Sequence, residues 1–210
     1  MNELLDLFHR AGALLRGHFV LRSGLHSREF FQCSLLLQYA KTAEYICGLL
    51  AEKLLPFGCK TVVSPALGGI LVGQEIARHL NGRHMFAEKG PDGELALRRG
   101  FTISPGEKIA IAEDVVTRGG RVRQTSDIIQ SLGGVVVAIA TIVDRSGSTT
   151  PDFGCPFIHL VRLEIETFEA HNLPLDLQAL PAIYPGGPGE HPLKPVGKTS
   201  CRDLFKGERS

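Results

Sequence analysis

The stretch Glu107-Lys-Ile-Ala-Ile-Ala-Glu-Asp-Val-Val-Thr-Arg-Gly-Gly-Arg121 decides the fold of this chain. Ile109 to Ala112 is a short apolar run, which is typical of a buried parallel strand. The run ends in two adjacent carboxylates, Glu113 and Asp114, and two acids there cost desolvation free energy unless they bind a polar group. The glycines that follow let backbone come close to a ligand. The pattern therefore predicts a strand with a binding site at its carboxyl end.

A helix is predicted directly after the loop Thr117-Arg-Gly-Gly120. Apolar residues recur at helical spacing until Gly133-Gly134, at Val122, Ile128, Ile129 and Leu132. A strand, a small-residue loop and a helix N-terminus together form an anion site, and the adjacent acids suit a ligand with hydroxyls beside a phosphate, such as a ribose phosphate. Neither the Walker A loop nor the dinucleotide fingerprint is present. A surface turn with solvated acids is the alternative, and the apolar runs on both sides argue against it.

At these residues the chain closely resembles the phosphoribosyltransferases, whose signature is an apolar run, two acids, two or three apolar residues, then Thr and a small-residue loop. Glu113-Asp-Val-Val-Thr117 with Gly119-Gly120 resembles the orotate branch in particular. The resemblance implies that the acids hold the ribose hydroxyls of phosphoribosyl pyrophosphate and that the loop amides hold its 5′-phosphate. The implied contacts to this substrate are Glu113, Asp114, Val115, Val116, Thr117, Arg118, Gly119, Gly120 and Arg121.

Two residues of this loop depart from the family pattern. The family usually has a small residue where Arg118 stands, and Ser or Thr where Arg121 stands. Each Arg either adds a phosphate contact or points to solvent, and solvent is slightly favoured for Arg118.

The length and net charge of the chain indicate a globular protein without an electrostatic field that would favour nucleic acid or a membrane. A chain of 210 residues fits one α/β domain with a small appendage, and its formal net charge is +1. No apolar run approaches the ~20 residues of a membrane span, and the N-terminus is acidic rather than signal-like. Five scattered cysteines without C-x-x-C spacing predict reduced thiols in a cytoplasmic protein: Cys33, Cys47, Cys59, Cys155 and Cys201.

The N-terminal part predicts a helix and then a hairpin. Residues 2–16 have helical apolar spacing, at Leu4, Leu7, Phe8, Ala11, Leu14 and Leu15. Phe19 and Leu21 alternate like a strand, Ser23-Gly24 predicts a turn, and Phe30-Phe31 is expected to begin the next strand.

This hairpin resembles the N-terminal hood that covers the pyrimidine in orotate phosphoribosyltransferases. By that resemblance Arg22 contacts orotate or pyrophosphate, and Arg28, Phe30 and Phe31 are weaker candidates to line the base. An ordinary hairpin without this role is the alternative. His18 and His26 are expected as hydrogen-bonding turn residues without a catalytic role.

A second strand-to-helix turn lies upstream of the central stretch. A helix is predicted over residues 41–57, a strand over Thr61-Val-Val63, and a turn at Ser64-Pro-Ala-Leu-Gly-Gly69 before another helix. The turn resembles the family's pyrophosphate loop, which implies contacts from Ala66, Leu67, Gly68 and Gly69. Some orotate enzymes have Lys near Gly68, and this chain does not. Backbone amides, Mg²⁺ and arginines from elsewhere would then neutralise the diphosphate.

Residues 85–100 predict an edge strand at Met85-Phe-Ala87 and a charged loop with a hairpin signal at Asp92-Gly93. The loop is either a solvated hairpin or, by resemblance, the mobile catalytic loop that reaches the active site of the partner in a homodimer. Lys89 aligns with the family's Lys and is the implied catalytic residue beside Glu113 and Asp114. Further basic residues of the family's loop are missing, so Arg98 and Arg99 are candidates to replace them.

The run Val135 to Val143 predicts another buried strand, followed by Asp144-Arg-Ser-Gly147. Arg145 therefore belongs on the same carboxyl edge as the acid pair, where doubly wound sheets bind ligands. It either pairs with Asp144 or, by resemblance, binds the orotate ring, since a guanidinium suits planar bidentate recognition of an oxo-acid. Thr117 and Arg145 are the implied determinants of base specificity.

The C-terminal part predicts one more strand at Phe157–Leu163, extended by Glu164 to Phe168, and an extended or disordered tail over residues 181–210. The resemblance implies an α/β fold of the type I phosphoribosyltransferase kind, with a mostly parallel sheet, flanking helices and an N-terminal hood. We expect one domain over residues 1–180, with the hood at about 1–40 and the core at about 41–165.

The implied reaction transfers the 5-phosphoribosyl group from phosphoribosyl pyrophosphate to orotate, giving orotidine 5′-monophosphate and pyrophosphate. Mg²⁺ is expected to be held mainly by the substrate's diphosphate and hydroxyls. A phosphoribosyltransferase for a purine or xanthine would share the central motif but not the hood with Asp144-Arg145. A non-catalytic regulator that senses the same sugar phosphate would need a basic DNA-binding segment, which the N-terminus lacks. The changes at Arg118 and in the loop leave room for a low-activity paralogue.

Overall fold

The computed structural model describes residues 2–21, 23–147 and 150–185. The chain divides into two compact units. The first takes the residues up to Tyr39 and those from Glu164 onward, and the second spans Ala40–Leu163. The described residues from Glu164 to Pro185 therefore return to the N-terminal unit, which the sequence did not indicate.

The second unit is built on a six-stranded sheet with the order β5-β4-β3-β6-β7-β8. All neighbours pair in parallel except β5, which is antiparallel to β4. The strands are β3 (Thr61–Pro65), β4 (Arg83–Lys89), β5 (Leu95–Leu97), β6 (Lys108–Val116), β7 (Val135–Asp144) and β8 (Phe157–Arg162). Its helices are α3 (Ala40–Leu54), α4 (Gly68–His79) and α5 (Gly120–Ser131), with a short 3-10 turn at Leu55–Phe57. The predicted α/β fold with a mostly parallel sheet is confirmed.

Strand β6 lies in the middle of this sheet, between β3 and β7. Residues 109–112 are fully buried, as expected for a parallel strand covered on both faces. The core around it contains Val63, Met85, Ile109, Ile111, Val116, Val122, Ile129 and Ile139. The strand is longer than predicted, because its ladder with β7 continues past the acids to the pair Val116–Asp144. Glu113 and Asp114 thus lie on the last part of the strand and not beyond it.

The prediction of an edge strand at residues 85–87 is wrong. Strand β4 lies between β3 and β5, because Leu95–Leu97 folds back and pairs with residues 87–89. The hairpin signal at Asp92-Gly93 is confirmed: Gly93 has φ +83°, and its N–H donates to Gly90 O at 3.0 Å.

The first unit contains a four-stranded sheet with the order β10-β1-β2-β9. Its strands are β1 (Leu14–Val20), β2 (His26–Phe31), β9 (Thr167–Phe168) and β10 (Ala182–Ile183). Its helices are α1 (Asn2–Arg10), α2 (Cys33–Leu37) and α6 (Leu175–Gln178). The predicted hairpin is present as β1 and β2.

Three boundaries in this unit differ from the prediction. The helix ends at Arg10 instead of continuing to residue 16, because the chain turns at Gly12, where φ is +66°, a conformation that favours glycine. Residues 14 and 15 lie in β1 and pair with Phe31 and Phe30, which end strand β2 rather than begin it. Residues 164–168 do not extend β8, since Thr167–Phe168 pairs with β2 in the other sheet.

The predicted tail begins with ordered backbone. Ala182–Ile183 pairs in parallel with His18 and Phe19. Residues 186–210, including Cys201, lie outside the described part of the chain, as does Arg22. Among the described residues, no helix is both long and apolar enough to cross a membrane.

Candidate active site

The acid pair lies at the carboxyl end of the central strand. Glu113 is only 5% exposed, and its Oε1 accepts a hydrogen bond from the Asp114 N–H at 3.2 Å. Asp114 is half-buried, and its Oδ1 accepts from the Val115 N–H at 2.8 Å. Burial raises the pKa of Glu113 well above its usual value, and the adjacent Asp114 raises it further, while Arg121 opposes this rise. Ionisation of both acids therefore carries a free-energy cost, which a cation or a positively charged ligand beside them would offset.

The turn between β3 and α4 packs directly against these two acids. A Cβ built on Gly68 would lie 2.5 Å from Asp114 Oδ2, and one built on Gly69 would lie 2.7 Å from Ala112 O. A side chain at position 69 would collide with backbone, and one at position 68 would force the Asp114 carboxylate to move. The two glycines are thus required for the close approach of the two loops, which the sequence assigned to separate parts of one substrate site.

Leu67 and Arg121 lie at the edge of the contact between these two loops. The peptide bond between Ala66 and Leu67 is cis, and the Leu67 side chain is 80% exposed. Arg121 is half-buried, and its Nη1 donates to Ala66 O at 3.4 Å. Arg121 therefore connects the loop after β6 with the loop after β3, and it does not point freely into solvent.

Two helix N-termini face the same edge of the sheet. Helices α4 and α5 each contain 12 residues, and neither has a side-chain cap at its first turn. Their first N–H groups are therefore available to an anion. Gly119 precedes α5 with φ +71°, and a Cβ there would lie 2.6 Å from the Phe153 ring. Glycine is therefore favoured at this position both by the positive φ and by the lack of space for a side chain.

The other residues of the central loop differ in exposure. Thr117 and Arg118 are exposed, and neither donates or accepts a side-chain hydrogen bond within the described ranges. Val115 is half-buried, whereas the Val116 side chain belongs to the core. Val116 can contact a ligand only through its backbone.

Arg145 follows β7 at the same edge of the sheet. Its N–H donates to Val116 O at 2.8 Å, so its backbone adjoins the last residue of β6. Burial lowers the pKa of its half-buried guanidinium. Asp144 forms its ion pair with Arg162, at 3.6 Å, and not with Arg145. The alternative in which Arg145 pairs with Asp144 is therefore wrong, and its guanidinium has no acidic partner among residues 2–21, 23–147 and 150–185.

The basic residues near β4 have different environments. Lys89 is exposed at the end of the strand and makes no ion pair with any residue that the structure describes. Arg99 donates to Glu88 at 2.9 Å and lies 5.6 Å from the centre of the Phe86 ring. Arg98 Nη2 lies against the Cα of Gly90. Arg99 is thus engaged within the hairpin, which leaves Lys89 as the better candidate to contact a ligand.

The predicted lining residues of the first unit are mostly engaged in packing. Phe31 is 3% exposed and packs on Phe8 with ring centroids 4.9 Å apart. Phe31 is therefore a core residue, and its assignment as a lining residue is wrong. Phe30 is half-buried against Phe19, at 5.6 Å. Arg28 forms ion pairs at 2.6 and 2.7 Å with two acids of the returning segment, Glu166 and Asp176.

The two histidines of the hairpin are hydrogen-bonded, as expected, but they lie in strands β1 and β2 and not in a turn, so that part of the prediction is wrong. His18 Nε2 lies 2.6 Å from His26 Nδ1, and His18 Nδ1 lies 3.1 Å from Leu180 O. This pair connects β1 and β2 to the returning segment within the first unit.

Sequence reasoning missed Arg162. Its Nη2 donates to Gly147 O and to Thr150 Oγ1, each at 2.7 Å, and its Nε faces Asp144. One signal was available: Arg162 ends an apolar strand, as Asp144 does, and the two are partners in the parallel ladder.

Comparisons with known proteins agree with this geometry. No family model matches the chain. It is 46% identical over 186 residues to the orotate phosphoribosyltransferase of Carboxydothermus hydrogenoformans, covering 88% of this chain and 96% of that protein. It is also 46% identical, over 185 residues, to the orotate phosphoribosyltransferase of Caldicellulosiruptor bescii, with the same coverage. The crystal structure of orotate phosphoribosyltransferase from Aeropyrum pernix superposes with a TM-score of 0.61 at 22% identity, covering 76% of this chain and 93% of that one.

The parallel sheet, the acid pair and the two glycine-rich helix N-termini define the type I phosphoribosyltransferase class. Within that class, the chain belongs to the orotate phosphoribosyltransferase family, as its identity to the curated relatives over most of its length shows.

Proposed function

We propose that this protein transfers the 5-phosphoribosyl group from phosphoribosyl pyrophosphate to orotate, in pyrimidine biosynthesis. The observation that carries the proposal is the close contact of the acid pair with the Gly68-Gly69 turn, at the same edge of the sheet as Arg145, an arginine without an acidic partner among the described residues. The identity to orotate phosphoribosyltransferases supports orotate as the base, and the geometry supports the roles proposed below for individual residues.

The ribose part of the substrate fits the acid pair. Loss of pyrophosphate leaves positive charge on the sugar, and preorganised carboxylates stabilise such charge where water is excluded. Glu113 and Asp114 would accept hydrogen bonds from the ribose hydroxyls, which offsets the cost of burying Glu113. The N-terminus of α5, entered through Gly119, would hold the 5′-phosphate by its N–H groups.

The diphosphate fits the N-terminus of α4. Its uncapped N–H groups, the Arg121 guanidinium beside Ala66 and the exposed Lys89 provide donors and positive charge. Because the turn has no Lys of its own, these groups would share the neutralisation of the leaving group.

The carboxylate oxygens at the carboxyl edge of the sheet suit a magnesium ion. Mg²⁺ takes oxygen ligands and is usually held by one or two carboxylates together with substrate phosphates and water. Among the described residues, no group of three or more His, Cys, Asp and Glu side chains could hold a metal by itself. Asp114, whose Oδ2 makes no hydrogen bond to a described residue, would contact the ion while the substrate supplies most ligands. When bound, Mg²⁺ supplies charge neutralisation of the leaving diphosphate.

Orotate fits the guanidinium at the end of β7. It is a planar carboxylate, and a half-buried Arg without an acidic partner binds such a group through paired N–H donors. Thr117, exposed on the neighbouring loop, would contact the base from the adjacent strand end. Arg22 and Phe30 remain proposed contacts from the hood.

We infer further that the enzyme is a homodimer with shared active sites and that it acts in the cytoplasm. The exposed Lys89 at the tip of β4 supports the first part, since a basic hairpin without an ion pair at Lys89 suits a site supplied from a partner. The free thiols of Cys47, Cys59 and Cys155 suit a reducing compartment.

Two sets of variants test this assignment. Asp114→Asn is expected to raise KM for phosphoribosyl pyrophosphate, and Arg145→Ala to raise KM for orotate, each by about tenfold or more because a charge-assisted hydrogen bond is lost. A Lys89→Ala protein mixed with an Asp114→Asn protein should recover activity, since one site of the mixed dimer then has both groups. If Asp114→Asn instead raised KM for orotate and Arg145→Ala raised KM for phosphoribosyl pyrophosphate, the proposed roles would be overturned. If the mixture recovered no activity, the shared active site would be contradicted.

A further inference from the structure

Asp144 is a fully buried carboxylate whose two oxygens have different partners. It is 0% exposed, its Oδ1 accepts from the Ser146 N–H at 2.9 Å, and its Oδ2 accepts no hydrogen bond from any residue that the structure describes. Oδ2 forms an ion pair with Arg162 Nε, at 3.6 Å. A buried carboxylate of this kind requires a counter-charge, because its desolvation costs free energy.

Arg162 also holds the backbone that follows Arg145. Its Nη2 donates to Gly147 O and to Thr150 Oγ1, each at 2.7 Å, so one guanidinium contacts the chain on both sides of residues 148–149. The Leu163 N–H donates to Asp144 O at 2.9 Å, which joins the ends of β7 and β8. The start of the loop is fixed to the sheet by the Arg145 N–H and Val116 O.

Arg145 follows Asp144 in the chain and Arg162 is its partner in the ladder, and among the described residues only Arg162 forms an ion pair with this acid. If Arg145 paired with Asp144, its positive charge would be neutralised within the protein and would attract an anionic base less strongly. Because Arg162 pairs with Asp144, this acid does not neutralise the positive charge of Arg145, which can then attract an anionic ligand.

We propose that Arg162 is a positioning residue for base recognition: it pairs with Asp144 and holds Gly147 and Thr150, which leaves the Arg145 guanidinium free for the carboxylate of the base. The role rests on the proposed function, since it requires Arg145 to bind orotate. Arg162 acts through the loop and through Asp144, and it is not required to touch the substrate itself.

The test compares Arg162→Met with Arg145→Ala, measuring KM and kcat for both substrates. Met keeps most of the length of the side chain and removes its charge and donors. We expect Arg162→Met to raise KM for orotate about tenfold, as is typical of residues in one ion-pair network, and to leave KM for phosphoribosyl pyrophosphate within about threefold. The double variant Arg145→Ala/Arg162→Met should be no worse for orotate than Arg145→Ala alone.

A second variant separates charge competition from loss of structure. In Asp144→Asn/Arg162→Met the acid that would capture Arg145 is neutral, and the acceptor for the Ser146 N–H is kept. This double variant should recover most of the orotate affinity lost in Arg162→Met. Arg83→Met is the matched control: it removes the arginine paired with Glu107 at the start of β4, on the opposite edge of the sheet, and should not change KM for orotate.

Each outcome decides one question. A normal orotate KM in Arg162→Met, with a raised one in Arg145→Ala, overturns the positioning role and leaves the proposed function standing. Equal effects on both substrates, or no recovery in the Asp144→Asn double variant, also overturn it, because Arg162 would then be structural only. A normal orotate KM in Arg145→Ala would instead contradict the proposed function itself.

Discussion

Gly68 lies so close to the carboxylate of Asp114 that any side chain there would force this carboxylate to move, since a Cβ on Gly68 would be 2.5 Å from Oδ2 and 2.7 Å from Oδ1. This contact joins two loops that are more than forty residues apart in the chain. It brings the uncapped N-terminus of α4 to the acid pair at the end of β6. The groups proposed to bind the diphosphate and the ribose attached to it are therefore adjacent.

Alanine at position 68 should weaken binding of the sugar phosphate. The added methyl group would force the Asp114 carboxylate to rotate, and overpacking of this kind costs about 1–3 kcal/mol. We expect KM for phosphoribosyl pyrophosphate to rise by roughly tenfold or more, which calorimetric titration can also follow as a change in Kd.

Gly17→Ala is the matched control for this substitution. A Cβ on Gly17 would meet the Phe19 ring at 3.5 Å, an ordinary van der Waals contact, so this variant should behave as the wild type. If Gly68→Ala bound the sugar phosphate as tightly as Gly17→Ala, the close contact between Gly68 and Asp114 would not contribute to binding.

Glu113→Gln should stabilise the ligand-free protein at neutral pH. Burial raises the pKa of Glu113 in the folded state, so folding keeps a proton on it that the unfolded chain releases above pH about 4.3. Stability of the wild type therefore falls as pH rises from that value toward the folded pKa. Gln removes this loss, and each kcal/mol gained corresponds to a rise in Tm of roughly 2–4 °C for a chain of this size.

The pH series provides the control for Glu113→Gln. The difference in Tm between variant and wild type should shrink as pH falls toward about 4.3, where both states of the wild type are protonated. A variant less stable than the wild type at every pH would contradict the raised pKa. The same variant is expected to bind phosphoribosyl pyrophosphate more weakly.

Arg121→Met should weaken binding of phosphoribosyl pyrophosphate and leave orotate affinity nearly unchanged. Arg121 donates to Ala66 O and offsets the charge of the acid pair, so its loss disturbs the diphosphate turn but not the end of β7. Hydrogen bonds that involve a charged group contribute about 1.5–3 kcal/mol, which predicts a tenfold or larger increase in Kd.

Arg78→Met serves as the control for the change in net charge. Arg78 lies in the last turn of α4 and forms surface ion pairs with Glu44 and Glu75. Its removal should leave both Kd values within about twofold, since exposed ion pairs contribute little. An equal loss of affinity in both variants would mean that Arg121 acts only through long-range charge.

The thiol of Cys47 should resist alkylation in the folded protein. Burial raises its pKa to about 12, and the thiolate is the reactive form. Iodoacetamide at pH about 8, followed by mass spectrometry, should modify Cys47 only after denaturation. Rapid labelling in the native state would contradict its burial in α3.

Much of the second unit could be predicted from the sequence, because its signals are local. The apolar run at residues 109–112, the glycines after it and the matching run at Val135–Val143 each specify a buried strand and its end. Carboxyl ends of parallel strands share one edge, so the neighbourhood of Glu113, Asp114 and Arg145 followed from strand direction alone.

The errors concern contacts between distant segments. Residues 14 and 15 continue a helical pattern, yet pairing with Phe30 and Phe31 places them in a strand, because tertiary pairing outweighs local periodicity. Phe31 was assigned to the ligand because nothing in its own segment shows that it packs on Phe8. The short strand β5 and the role of Arg162 depend on a neighbouring strand in the same way.

Orotate consumption by the purified wild-type protein, with phosphoribosyl pyrophosphate and Mg²⁺, is the most direct test of the central claim. Adenine, xanthine and uracil serve as parallel substrates. We predict turnover with orotate alone, abolished by chelation of the metal. Turnover with another base, or binding of phosphoribosyl pyrophosphate without turnover of any base, would contradict it.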